Sequence, residues 1–383
     1  MHKKSKKKYH YFFDLNEILI DRYPAKISKE ILIQDDLAKF VFIYSEKYGI
    51  DEPKNIPHGS KIIYMPKITE KGLYKIFDLY KPITVTTIAQ RIPDLLITFL
   101  SNKKNIPTHT VQHGIWSDKI ERISVFSALL SKFSKINFYL VNALSLSRAL
   151  KINYINFIFD VFSFFYKDDK KIIQIKSLSH ESLRARKVFA FDSTWNDYYL
   201  KKFNYKLNQL VYIGNPDLLL LNNKNLDKIE NSVCYICQSL VEDGRYLVDD
   251  FQLFLSIIKE NVADFKKVYI KLHPRTKIGF YKILKNHKNI IFTNDFPICT
   301  HYIGHYSSLL LVAKKVSSNV LIWRLNNHYI PQNFHQYASV ITSSVDVLKD
   351  FISMKNKTVV DSSVFKFENP YKLIANTLLR NEL

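Results

Sequence analysis

The sequence predicts an α/β protein with two open, doubly wound parallel sheets, because short β-branched and apolar segments alternate with amphipathic segments along the chain. Hydrophobic residues make up 47% of the 383 residues and aromatic residues 14%, which excludes intrinsic disorder. At about 100–200 residues per domain, this length indicates two domains. We expect the first domain to cover residues 1–205 and the second to cover residues 206–383.

Strand and helix signals alternate in the first half of the chain. Residues 82–88 are rich in β-branched side chains and predict a strand, and residues 94–100 predict the helix that follows it. Residues 108–114 predict a strand that ends in a glycine loop, and residues 138–141 and 188–191 predict two further strands. Strands separated by helices indicate parallel layering.

The second half repeats this order more regularly. Its predicted strands are residues 209–213, 233–240, 268–272, 290–293, 301–305 and 320–323. After the second of these, Leu247, Phe251, Phe254 and Ile258 recur at offsets of three or four and predict a helix, and residues 307–315 predict another. Ligands of such sheets bind outside the carboxyl ends of the strands, so residues that directly follow these strands are candidate site residues.

The chain carries 56 Lys and Arg against 35 Asp and Glu, a net charge of +21, and therefore attracts anions. An ordinary lysine-rich surface explains this charge, as does binding to anionic lipid, to a nucleotide-activated substrate or to an acidic glycan. No helix-turn-helix, zinc-finger or RNA-recognition signature occurs, so we expect no nucleic-acid partner. The basic residues 3–8 fit attachment to a lipid surface or a solubilising tail.

The apolar stretch 152–166 contains Asp160 and is shorter than the ~20 residues that a membrane span needs. It predicts either a buried core segment or a surface that docks on lipid. Cys234 and Cys237 have a zinc-like spacing, but an odd offset within one strand points them to opposite faces, and no second cysteine pair exists. We therefore expect no metal, and the absence of glycine-rich nucleotide loops argues against triphosphatases and dinucleotide oxidoreductases.

Two acidic residues follow the predicted strand 233–240. Glu242 and Asp243 can supply a general base, since a carboxylate beside another carboxylate in a partly dry cleft holds a proton more strongly. The competing interpretation is that both acids only complement the dipole of the next helix.

The ends of the predicted strands 268–272 and 301–305 carry groups that suit a departing phosphate. His273 can donate a hydrogen bond or a proton to the leaving oxygen, Arg275 can bind phosphate in bidentate geometry, and Pro274 fixes the strand exit between them. Ser307 and Ser308 begin a predicted helix, whose N-terminal N–H groups bind anions. Plain N-capping is the competing interpretation of either serine. Together with the acidic pair, these motifs predict one phosphate-leaving site.

The order of these motifs resembles that of the bacterial sialyltransferases, which include lipooligosaccharide sialyltransferases and capsular polysialyltransferases. The shared pattern is an acidic-acidic-Gly motif, a His-Pro motif and a downstream serine pair, which stand here at residues 242–244, 273–274 and 307–308. The spacing of the first two motifs is similar to that of the lipooligosaccharide branch. The resemblance covers roughly residues 233–325.

The resemblance, with the two similar α/β halves, implies two Rossmann-like domains facing a cleft, the GT-B type of glycosyltransferase. The first domain is expected on the acceptor side, and the second is expected to bind the CMP-activated donor. The resemblance implies an inverting reaction without metal or other cofactor. Glu242 or Asp243 would be the base on the acceptor hydroxyl, with Glu242 our first choice. His273 would assist the departing CMP phosphate, which Ser307 and Ser308 would hold. Further donor contacts are implied for Gln238, Ser239, Gly244, Pro274 and Arg275.

Two motifs of the first half resemble elements of capsule and surface-polymer transferases more broadly. Gln112, His113 and Gly114 follow a predicted strand and either orient a sugar in the cleft or form a glycine-stopped turn. The turn at residues 214–217 is expected to connect the domains, with Asn215 near the nucleotide.

These expectations describe a transferase that moves sialic acid, or a related nonulosonic acid, from CMP to lipooligosaccharide, O-antigen or capsule. The partners would be the CMP-sugar, an anionic or lipid-linked glycan and a peripheral membrane surface, on the cytosolic face of a bacterial inner membrane. One alternative is a transferase for CMP-Kdo, CMP-pseudaminic acid or CDP-glycerol. A more distant alternative is a nucleic-acid-binding protein without catalysis.

Overall fold

The computed structural model describes residues 9–46, 53–114, 133–166, 177–222, 228–242, 246–263, 266–273, 276–325, 329–330, 332–354 and 366–380. The basic residues 3–8 of the sequence analysis lie outside them. The chain divides into two compact units. The first comprises Met1–His113, Ser134–Pro216 and Glu368–Leu383, and the second comprises Gly114–Phe133 and Asp217–Phe367.

The strands of the described residues are β1 Tyr9–Phe13, β2 Lys39–Tyr44, β3 Lys61–Tyr64, β4 Pro82–Ile88, β5 Thr108–Val111, β6 Lys187–Ala190, β7 Leu210–Tyr212, β8 Ile229–Ile236, β9 Lys267–Lys271, β10 Ile290–Thr293, β11 Cys299–Gly304, β12 Asn319–Trp323 and β13 Val340–Thr342. The α-helices are α1 Glu17–Arg22, α2 Pro24–Gln34, α3 Glu70–Tyr80, α4 Ile92–Lys103, α5 Phe133–Leu150, α6 Tyr154–Tyr166, α7 Val248–Ile258, α8 Leu309–Val316, α9 Gln332–His335, α10 Val345–Ser353 and α11 Pro370–Arg380. None of these helices combines the length and the apolar character that a bilayer crossing requires.

Each unit is built on one open parallel sheet. The first sheet has the order β3-β2-β1-β4-β5-β6-β7 and the second the order β10-β9-β8-β11-β12-β13. In both, the strand order reverses beside the first strand of the sheet, which places a ligand-binding crevice at the carboxyl ends of β1 and β4 in one unit and of β8 and β11 in the other. The predicted doubly wound parallel architecture is confirmed.

The second sheet is covered by apolar side chains on both faces. Cys234 belongs to the cluster that packs against α8, whereas Cys237 belongs to the cluster that packs against α7. The two thiols therefore lie on opposite sides of the sheet, as the odd offset predicts. Gly304 ends β11 where a Cβ atom would lie 2.9 Å from the Leu310 side chain, so a side chain at this position would crowd the start of α8.

One predicted strand is wrong. Residues 138–141 lie inside the helix α5, because the apolar run belongs to a longer segment without glycine or proline. Buried Ala143, Leu146 and Ala149 recur there at offsets of three, which places them on one face of a helix. A run of four apolar residues does not by itself distinguish a strand from a buried helix.

The units also differ from the predicted domains at three places. The segment Gly114–Phe133, expected in the first domain, belongs to the second unit. Residues 206–216 and the C-terminal helix α11, both assigned to the second domain by the sequence analysis, lie in the first unit. Helix α11 packs on α2, where Tyr371 contacts Tyr23 at 6.3 Å between ring centroids and Lys26 lies 5.2 Å from the centre of the Tyr371 ring. The sequence gives little sign that α11 packs on the first unit, because this contact joins segments near the two ends of the chain.

Candidate functional site

The carboxyl ends of β8 and β11 form the crevice of the second sheet. Gln238 lies two residues after β8, and its side-chain amide pairs with both backbone groups of Tyr306, two residues after β11. The Tyr306 N–H donates to Gln238 Oε1 at 2.9 Å, and Gln238 Nε2 donates to the Tyr306 carbonyl. This amide extends the pairing of the two strands beyond their ends and fixes the loop that carries the serine pair.

The two serines have different roles in this loop. Ser308 Oγ donates to Asp217 Oδ2 at 2.6 Å, and Ser307 Oγ accepts from the backbone N–H of Leu309 at 3.3 Å. Both serines are half-buried and directly precede helix α8. The Ser307 hydroxyl and the start of α8 thus lie together at the crevice, where a helix N-terminus favours an anion. Ser308 holds the loop against Asp217.

The loops after β8 and β9 are joined by Glu242. Its Oε1 accepts from the backbone N–H of Lys277 at 2.8 Å. Lys277 follows a turn in which the His273 N–H donates to Thr276 Oγ1 at 3.0 Å and the Thr276 N–H donates to the His273 carbonyl at 2.9 Å. The structure therefore links the predicted base and the loop of the predicted leaving-group histidine, both half-buried, at the same edge of the sheet.

The remaining predicted residues of this unit divide into two groups. Ser239 is buried beside Gln238 at the exit of β8. Asp243, Gly244, Pro274 and Arg275 lie outside the described residues.

A buried histidine supports the crevice and was not singled out by the sequence analysis. His305 Nδ1 contacts the Trp323 carbonyl at 2.8 Å, and its Nε2 contacts the Tyr235 hydroxyl at 3.1 Å. Burial lowers the pKa of His305 to about 4, so the ring is neutral at pH 7. Through these two contacts, His305 anchors the start of the loop between β11 and α8 to the core of the sheet. Only its burial, which the sequence does not reveal, distinguishes it from a catalytic histidine.

Two charged residues of this unit were not predicted, namely Asp217, which binds Ser308, and Lys271. Lys271 ends β9, and burial lowers its pKa, while Asp217 and Asp295 act in the opposite direction. Asp217 is the last residue of the predicted connecting turn and the first residue of the longer segment of the second unit. Its hydrogen bond to Ser308 joins sequence positions far apart, so local sequence patterns do not reveal it.

In the first unit, Gln112 makes a structural hydrogen bond between two strand ends. Its side chain is buried, and its Oε1 accepts from the Phe191 N–H at 2.9 Å, which ties the exit of β5 to the exit of β6. His113 is half-buried with its ring 5.7 Å from that of Tyr23, and Gly114 has a φ of 72°, which fits the predicted glycine-stopped turn.

Asn215, which we expected near the nucleotide, is buried in the first unit. It follows Gly214, whose φ of 79° lies in the left-handed region that glycine favours. Glycine thus turns the chain after β7, as the sequence indicates.

The crevice of the first sheet holds a buried ionic cluster that the sequence analysis missed. Arg91 follows β4 and binds Asp94 at 2.6 Å and Asp14, which follows β1, at 3.0 Å. Asp14 is fully buried, and burial raises its pKa to about 7 although Arg91 acts in the opposite direction. The chain reaches this cluster through Ala89, whose φ of 108° is rare for a residue with a side chain and places strain at the end of β4.

No sequence-family profile and no curated protein sequence matches this chain. Solved structures resemble it over nearly its whole length. A UDP-GlcNAc 2-epimerase from Methanocaldococcus jannaschii, in complex with UDP-GlcNAc and UDP, superposes with a TM-score of 0.54 at 13% identity, covering 97% of this chain and 99% of that chain. The S. aureus MnaA protein, solved with UDP, superposes with a TM-score of 0.51 at 12% identity, covering 97% of this chain and 95% of that chain.

The wall teichoic acid polymerase TagF with CDPG also resembles the chain, with a TM-score of 0.51 at 10% identity and coverage of 98% of this chain and 89% of that chain. At these identities the likeness establishes the fold. The chain consists of two parallel-sheet α/β domains of the GT-B type.

Proposed function

We propose that this chain is a glycosyltransferase that moves sialic acid, or a related nonulosonic acid, from its CMP carrier to a bacterial surface glycan. The observation that carries the proposal is the joining of three strand exits at one sheet edge. Gln238 ties the loop after β8 to the serine loop, and Glu242 ties it to the loop of His273. The GT-B fold supports the proposal, because the three likenesses reported above are to proteins solved with UDP, UDP-GlcNAc or CDPG.

In the proposed reaction, Glu242 accepts the proton of the acceptor hydroxyl as its oxygen attacks the anomeric carbon of the sugar. The new glycosidic bond forms as the bond to the CMP phosphate oxygen breaks, and the configuration inverts. His273 donates a hydrogen bond or a proton to the departing phosphate. The Ser307 hydroxyl and the start of α8 hold that phosphate, while Ser308, engaged by Asp217, positions the loop. No metal takes part in the proposed step.

The proposed acceptor is lipooligosaccharide, O-antigen or capsule, assembled at the cytosolic face of a bacterial inner membrane. The net charge of +21 favours such a setting, because the donor and the membrane surface are both anionic. A different donor is the second candidate, and CDP-glycerol deserves a place in any assay because TagF was solved with CDPG. CMP-Kdo and CMP-pseudaminic acid complete the set of donors.

Calorimetric titration of CMP and UMP into the purified chain tests nucleotide choice. We expect saturable binding of CMP that is at least about tenfold tighter than that of UMP. A donor panel with labelled CMP-sialic acid, CMP-Kdo, CMP-pseudaminic acid, CDP-glycerol and UDP-GlcNAc then tests the reaction. CMP-sialic acid left intact with every glycan acceptor would overturn the sialic acid proposal, and conversion of UDP-GlcNAc to a C2 epimer would replace transfer by epimerisation.

The variant His273→Ala tests the catalytic role. We expect turnover to fall by about three powers of ten, within the range of general acid–base catalysis, while the unfolding midpoint stays the same. His287→Ala is the matched control, because His287 is also a half-buried histidine of this unit. It precedes the amino end of β10, whereas His273 follows the carboxyl end of β9. Near-full activity of His273→Ala would remove this residue from the mechanism. Steep salt dependence of nucleic-acid binding, unchanged in this variant, would favour the non-catalytic alternative.

A further inference from the structure

Two consecutive helices of the first unit expose large apolar side chains. On α5, Leu140 is 42% exposed, and on α6, Ile155 and Phe159 are 63% and 71% exposed. The helices form a hairpin, since Lys151 turns the chain with a φ of 58° and the Tyr154 hydroxyl donates to the Leu140 carbonyl at 3.3 Å. The start of α6 therefore lies beside the Leu140 turn of α5.

Helix α6 is held by its other face. Phe157 and Val161 are buried, and Asp160 accepts a hydrogen bond from the Ser177 hydroxyl. Ile155 and Phe159 are four residues apart and therefore share one face of the helix. By its sequence, the stretch 152–166 fits either a core segment or a lipid-docking surface. Among the side chains that the structure describes, one face of the helix is core and the other is exposed.

The sequence of this hairpin up to Phe159 carries charges of one sign. The sequence contains no acidic residue between Glu121 and Asp160, although the whole chain has 35 Asp and Glu. The basic residues of this interval are Arg122, Lys132, Lys135, Arg148 and Lys151. Arg148 and Lys151, at the turn of the hairpin, are exposed. A second copy of the chain would bring like charges together here, whereas an anionic lipid surface offers both apolar depth and opposite charge.

We propose that the exposed face of α5 and α6 docks on a bilayer that contains anionic phospholipid. Ile155 and Phe159 enter the boundary between headgroups and acyl chains, about 5–10 Å deep, and Arg148 and Lys151 contact lipid phosphates. This docking does not depend on the identity of the donor, so it stands or falls separately from the proposed reaction.

Sedimentation with vesicles tests the docking. We expect the full chain to bind phosphatidylglycerol vesicles at least about tenfold more tightly than phosphatidylcholine vesicles. The double variant Ile155→Glu/Phe159→Glu should lose at least about tenfold in binding to the anionic vesicles. Ile33→Glu/Leu253→Glu is the matched control, because it replaces two residues that are 77% and 63% exposed elsewhere with the same two charges. Both variants lower the net charge equally, so a difference between them reports the location of the surface.

A second pair of substitutions tests the charges. Arg148→Gln/Lys151→Gln should weaken binding by about thirtyfold, from roughly 1 kcal/mol for each basic residue near the surface. Equal vesicle binding by the Ile155→Glu/Phe159→Glu variant and its control would overturn the proposal. A concentration-dependent dimer of the unmodified chain that this variant abolishes would assign the face to a second copy. Circular dichroism on each variant shows whether the fold is retained, and CMP titration on the same samples reports the donor site separately.

Discussion

The two sheets have the same order around the point where they reverse, yet the groups at that point are opposite in character. In the first sheet, the exits of β1 and β4 are joined by Arg91 between Asp14 and Asp94, a cluster with two carboxyl groups and one cation. In the second, neutral groups join the exits of β8 and β11, through the Gln238 amide and the Tyr306 backbone. Topology fixes where a crevice forms, and side chains decide what it accepts.

The contrast has a direct electrostatic meaning. A phosphate brought to Asp14 and Asp94 would meet carboxyl groups that already share one guanidinium, whereas the second crevice offers the Ser307 hydroxyl and the start of α8. The charged groups of the first crevice therefore already bind one another, whereas the second crevice is suited to an external anion. Substitutions in the two crevices should affect stability and ligand binding to different degrees.

Removal of the cation should have the largest effect on stability. Arg91→Met leaves Asp14 and Asp94 buried without their partner, and we expect the free energy of unfolding to fall by about 3–5 kcal/mol. Urea unfolding followed by circular dichroism measures the loss. Lys201→Met, which breaks an exposed ion pair with Asp197, is the control and should cost no more than about 1 kcal/mol. Equal effects of the two substitutions would contradict the mutual binding of the charged groups in the first crevice.

The pH dependence of stability should reveal Asp14. Its pKa of about 7 lies above the ordinary value near 3.9, so between these pH values the folded state holds a proton that the unfolded state releases. Stability therefore falls as pH rises through this window, by up to about 1.4 kcal/mol per pH unit. Asp14→Asn should flatten the profile between about pH 4 and pH 7, measured by urea unfolding at each pH. Parallel profiles for both proteins would show that Asp14 does not titrate there.

The two bridging glutamines offer a paired comparison. Gln238→Leu and Gln112→Leu each leave a backbone N–H without its acceptor, that of Tyr306 or that of Phe191, and each should cost about 1–3 kcal/mol of unfolding free energy. CMP affinity should fall only for Gln238→Leu, because this glutamine holds the loop of Ser307. A parallel loss of CMP affinity in the Gln112 variant would mean that the first crevice contributes to the nucleotide site.

The smallest expected effect separates the two serines. Ser307→Ala should weaken CMP binding by about tenfold, the value of one hydrogen bond to a charged group. Ser308→Ala should have a smaller effect, because Asp217 occupies its hydroxyl, and Asp217→Asn should reproduce it. Titration calorimetry on the three variants measures these differences. A larger loss for Ser308→Ala than for Ser307→Ala would reverse the roles.

Much of the second unit could be predicted from local sequence. Its strands are short apolar runs that end in polar residues, and β9, β10 and β12 lie within about one residue of the predicted segments. The strands β1, β2 and β3 of the first unit were not predicted, although they carry buried side chains along most of β1 and β2. The aromatic run at Tyr9–Phe13 follows a basic segment. Only its pairing with β2 and β4 in the folded chain identifies it as a central strand.

The sequence by itself determined the class of fold and the edge of the second sheet at which the polar motifs gather, because strand periodicity and the residues after each strand are local properties. Tertiary structure alone decided that Gln112 joins two strand ends and that His305 is buried and neutral. It also decided that Ser308 donates to Asp217 and that Arg91 binds Asp14. Each of these roles depends on burial and on partners distant in the chain. A residue type shows which bonds a side chain can form, and packing decides which of them it makes.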